Sequence, residues 1–166
     1  MKNSAKESSE KLKILVAEEN QEACSALEEL LKVLGHSVMV TQDGEDALNM
    51  FHETIPDLVF SGLTLPKLGG MELLREVKSD SGKTLFVMIC PMSDPEKIQQ
   101  ALKKGAADFL TRPIQSRELI RSLDRLVNLK KGFITSPMVN ETTPNTENDE
   151  LKLPQEGWRK ELIEES

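Results

Sequence analysis

Short aliphatic runs alternate along this chain with longer stretches whose apolar residues recur every three or four positions. Residues 12–17 (LKILVA) form the first run and end in acid at Glu18 and Glu19. Asn20 is a good helix N-cap, and Ala23, Leu27, Leu30, Leu31 and Leu34 then fall on one helical stripe. Cys24 lies on that stripe, and Gly35 stands where a left-handed C-terminal residue is wanted. Residues 37–40 (SVMV) predict a second strand. Asp43 and Gly44 lead into a helix carrying Ala47, Leu48 and Phe51. The third apolar run, 58–60, stops at Ser61 and Gly62, before a loop with Pro66, Gly69 and Gly70. A helix bearing Met71, Leu74 and Val77 follows. Residues 85–90 (LFVMIC) are continuously apolar, as in a strand covered on both faces. Asp94 and Pro95 open a fourth helix with Ile98, Ala101 and Leu102. Residues 107–110 make a fifth strand, and Ser116 caps a last helix with Leu119, Ile120, Leu123, Leu126 and Val127 on one face.

Five strands alternating with five helices predict an α/β domain with a parallel, doubly wound sheet. In such a sheet the functional crevice lies beyond the carboxyl ends of the strands. The residues to examine are therefore Glu18, Glu19, Gly62, Cys90, Pro91 and Arg112.

Composition narrows the function classes. The net charge of −7 over 166 residues disfavours nucleic acid and anionic membrane as partners. Two cysteines are too few for a disulfide framework, and the polar start MKNSAKESSE lacks a signal peptide's apolar core. No apolar run reaches the length of a membrane span. The expectation is a cytoplasmic protein with no cofactor. Residues 1–11 read as a disordered lead, 12–130 as the domain and 131–154, rich in Thr, Asn, Glu and Pro, as a flexible linker. Residues 155–166 read as a short helix with Trp158, Leu162 and Ile163 on one side, or as the start of a further segment.

The segments KILVAEEN, TQDGEDALNMF, PDLVFSGLTLPKLGGMELLREVK and GAADFLTRPI, in this order, resemble the receiver domain of bacterial response regulators. The resemblance covers roughly residues 12–129. It implies a flavodoxin-like (βα)5 fold with strand order 2-1-3-4-5. An intact receiver takes a phosphoryl group from a histidine kinase onto an aspartate beside a bound magnesium ion. It passes the change on through its fourth and fifth strands and the adjoining helices.

The acceptor position is Gly62 here, and without a carboxylate no acyl phosphate can form. Neighbours do not replace it. Asp57 lies about 16 Å back along the strand, Ser61 faces away, and the hydroxyl of Thr64 is not the nucleophile of this chemistry. The family's acidic pair is Glu18 and Glu19, its hydroxyl switch position is Cys90, and its lysine is Arg112, in TRPI. The resemblance places the aromatic switch at Phe109, facing inward or outward. It also implies a partner surface that includes Lys103, Lys104 and Asp108, against which stands an ordinary solvated face.

Gly62 reads either as a silenced acceptor in a pseudo-receiver or as a decayed or altered one. Glu18 and Glu19 can ligate magnesium with one ligand missing, or one of them can pair with the planar fork of Arg112 and fill the vacated pocket. Cys90 is a packing residue or a redox-sensitive thiol. Three functional readings follow. One is a phosphorylation-independent module that binds a protein partner. Another is the input end of a longer protein, or a receiver answering a ligand or redox input. The third, a nucleotide-binding enzyme, lacks a glycine-rich phosphate loop and a base–nucleophile pair.

Overall fold

A computed structural model describes residues 11–91 and 93–132. The segments expected to be a lead, a linker and a terminal helix fall almost wholly outside those residues. The chain divides into a compact unit ending at Val127 and a second beginning at Asn128. The second is described only through 128–132.

Five strands, β1 (Lys13–Ala17), β2 (Ser37–Thr41), β3 (Leu58–Gly62), β4 (Leu85–Pro91) and β5 (Asp108–Arg112), alternate with five helices. The helices are α1 (Gln21–Val33), α2 (Gly44–Thr54), α3 (Gly70–Asp80), α4 (Pro95–Lys103) and α5 (Ser116–Lys131). All strand pairings are parallel, in the order β2-β1-β3-β4-β5. This is the flavodoxin-like α/β order. Helices cover both faces, so Ile14, Leu15, Val16 and Ala17 of β1 are all fully buried. A strand covered on both faces has no polar side to alternate with.

The local signals act as their chemistry requires. Asn20 Oδ1 accepts from the Ala23 N–H at 2.8 Å, and Asp43 Oδ1 from that of Asp46 at 2.7 Å. Asp94 caps α4, with Pro95 in its first turn. Gly35 adopts φ +100° just after α1, a conformation that a Cβ would strain. Strands run past their aliphatic residues for one reason. β3 continues to Gly62, and β5 starts at Asp108 and runs on to Arg112, beyond the aliphatic residues. Backbone pairing, with Gly62 opposite Ile89 and Arg112 opposite Pro91, does not need apolar side chains. Ser116 is the first residue of α5 rather than the residue before it.

The carboxyl ends of the strands thus gather Glu18, Gly62, Pro91 and Arg112 along one rim. Behind that rim, α3 starts unusually close to β3. A Cβ at Gly70 would lie 2.2 Å from the Gly62 carbonyl oxygen, so only glycine permits this approach.

Candidate functional site

Glu18 follows β1 directly, and its side chain turns over the end of the sheet. Only 1% of it is exposed, yet both carboxylate oxygens have donors. Oε2 accepts from the Asn20 backbone N–H at 2.9 Å, and Oε1 from Arg112 Nη2 at 2.7 Å. An ionised carboxylate is tolerated in so dry a place only when paired and hydrogen-bonded in this way. Arg112 reaches in from the end of β5 with 35% of its side chain still exposed. Two strands, β3 and β4, lie between β1 and β5, a separation of about 14 Å between the strands. The two side chains therefore meet over the end of the intervening strands.

Gly62 makes room for that meeting. A Cβ there would lie 3.1 Å from Glu18 Oε1 and 3.3 Å from Arg112 Nη2. The ion pair thus crowds the space into which a residue-62 side chain would project. The salt bridge spans the space beside Gly62.

The remaining candidates occupy different places. Glu19 and Thr64 are exposed and, with Glu18, Leu63, Pro91 and Arg112, line a cavity of about 630 Å³. Among the described residues no cluster of three or more His, Cys, Asp or Glu side chains is arranged to hold a metal ion. Cys90 is fully buried. Desolvation, with a smaller contribution from Asp94, pushes its thiol up to about 12 against the pull of Arg112. A reactive cysteine needs the opposite shift. Asp57 sits at the far end of β3, where Oδ2 accepts from the Lys13 N–H at 2.8 Å.

The expected partner surface divides. Lys103 and Lys104 are exposed at the end of α4, and the Phe109 side chain is turned inward, with 9% exposure. Asp108 departs from the expectation of a surface charge. It is only 7% exposed and bonded to Ser122 Oγ at 2.8 Å, because α5 covers the start of β5. The sequence reading missed this contact: charge alone suggested solvent, and only an apolar stripe was read on α5. It also missed the Asn20 amide beneath Glu18, since Asn20 was read only as a cap.

The sequence profile of the response regulator receiver domain matches residues 14–124. Among curated proteins, the probable transcriptional regulator ycf27 of Guillardia theta is 32% identical over 136 residues, covering 78% of this chain and 53% of that protein. The chain therefore spans about half the length of that relative. A response regulator receiver domain protein from Clostridium thermocellum superposes with a TM-score of 0.68 at 26% identity, covering 73% of this chain and 98% of the other. NtrX from Brucella abortus gives a TM-score of 0.71 at 27% identity over 75% of this chain and 29% of its own. With its strand order, its matched span and these relatives, the chain belongs to the response regulator receiver domain family of two-component signalling.

Proposed function

We propose that this receiver works without accepting a phosphoryl group and signals by binding a protein partner. One observation carries the reading: the Glu18–Arg112 ion pair lies over Gly62, where the acceptor carboxylate of the family would project. Carbon-bound hydrogen at position 62 offers no nucleophile. The Arg112 guanidinium is already engaged by Glu18. A magnesium ion held by both glutamates would have to draw Glu18 away from Arg112, against a 2.7 Å charge-assisted hydrogen bond. The pocket then serves to hold one conformation of the sheet's rim, and the partner contacts fall to the surface around α4, β5 and α5, with exposed Lys103 and Lys104. The lack of a nucleophile at position 62 supports a non-enzymatic role.

Incubation of the full chain with acetyl phosphate and magnesium, followed by intact-mass measurement, tests this. The expected result is an unchanged mass. A stable phosphoryl adduct on any residue would overturn it.

A second reading is favoured by coverage. The matched region corresponds to 53% of the Guillardia theta regulator and 29% of NtrX, so the domain can be the regulatory part of a longer protein whose output part lies elsewhere. The two readings are compatible, since a static receiver can still position an output domain.

A further inference from the structure

α1 and the start of α5 flank a groove of about 790 Å³. Its lining is largely apolar, with Ala26, Leu30 and Val33 from α1 and Pro113, Ile114 and Leu119 from the approach to α5 and its first turn. Val33 is 77% exposed, and Ile120, one turn beyond the groove-lining Ser116, is 45% exposed. Two of the three large hydrophobic side chains exposed among the described residues thus border one groove. Apolar side chains gathered at a surface mark a contact site.

The two walls carry opposite charge. α1 contributes Glu22 and Glu29 to the groove, and the exposed side of α5 around Ile120 carries Arg117 and Arg121. Arg121 also holds Glu118 at 3.4 Å along its own helix, an exposed pair that is worth little. Asp124 offsets part of the positive charge.

We propose that this groove is a homodimer interface, in which α1 of one copy lies on α5 of a second copy. α1 and α5 each follow a strand of one parallel sheet, so both run from its carboxyl edge in the same direction. A two-fold axis along the groove exchanges the two helices and preserves that direction. Glu22 and Glu29 of each copy then face Arg117 and Arg121 of the other, and the apolar trough between them is covered by its own counterpart. A foreign basic helix would satisfy the glutamates but set positive charge against the arginines, whereas a second copy supplies both signs. With α1 about 20 Å long, this face is at the small end of specific interfaces, so the dimer is reversible at micromolar concentrations. The inference goes beyond the reading given to Gly62 and does not depend on it.

Sedimentation velocity of the full chain from about 1 to 500 μM tests this. The expected result is a reversible monomer–dimer equilibrium. Val33→Asp sets a charge in the apolar trough and should raise the dimer Kd at least about tenfold. Glu22→Arg with Glu29→Arg makes one reversed chain, and Arg117→Glu with Arg121→Glu makes another. Each alone should stay monomeric, because like charges then face each other across the axis. Mixed in equal amounts, the two reversed chains should form a dimer, since acid again meets base on both sides. A parent chain that stays monomeric throughout the range would overturn the proposal. So would self-association that these substitutions leave unchanged, or a mixture that stays monomeric. All five positions are exposed, and circular dichroism checks the fold. Should a reversed chain fail to fold, Val33→Asp decides the matter.

Discussion

Replacing Arg112 with alanine removes the side-chain partner that Glu18 Oε1 has among the described residues and leaves a carboxylate that is 1% exposed with its Asn20 bond. Breaking a fully buried ion pair from one side costs about 3–5 kcal/mol, whereas an exposed pair is worth about 0.2–1 kcal/mol. Here one partner is buried and the other is 35% exposed, which places the loss between these limits, at about 2 kcal/mol. For a domain of this size that lowers the melting temperature by about 8 °C. Urea denaturation at pH 7 would show a lower midpoint with an unchanged slope. Glu18→Gln with Arg112→Ala should recover much of the loss, because no charge is then left buried. A double-mutant cycle over Glu18→Gln and Arg112→Ala should therefore return a coupling of about 1 kcal/mol or more. A coupling indistinguishable from zero, or an Arg112→Ala midpoint equal to that of the unsubstituted chain, would refute the view that this pair holds the sheet's rim together.

Two further outcomes follow from other parts of the molecule. Ile55, at the end of α2, has φ +44° and is 52% exposed; it is a β-branched residue in the left-handed region, just before Pro56. Ile55→Gly should raise stability by about 1 kcal/mol, and a lower urea midpoint would contradict that. Cys24 and Cys90 are both buried with raised thiol pKa values. Thiol reagents at mildly alkaline pH should therefore label neither in the folded chain and both after unfolding. Rapid labelling of Cys90 in the folded protein would point instead to a redox-sensitive pocket.

The run of strands and helices was legible in the sequence because each element carries its own periodicity and its own stop signal. Asn20, Gly35, Asp43 and Asp94 act within a few residues of themselves, so their roles are local and readable. That position 62 carries no carboxylate was legible for the same reason, since a missing side chain needs no neighbours to be missing. Which glutamate meets Arg112 was not. Glu18 and Glu19 are adjacent and chemically alike, and only the turn of the chain after β1 buries the first and exposes the second. Asp108 was misplaced on the surface because its burial depends on α5, which begins eight positions later and folds back over β5. The same limit applies to Phe109, whose inward position depends on what packs above it. Sequence by itself thus determined the scaffold and the absence of a carboxylate at position 62. Tertiary structure decided what lies over Gly62, because a salt bridge there joins residues 94 positions apart, and only the order of strands in the sheet brings them within reach.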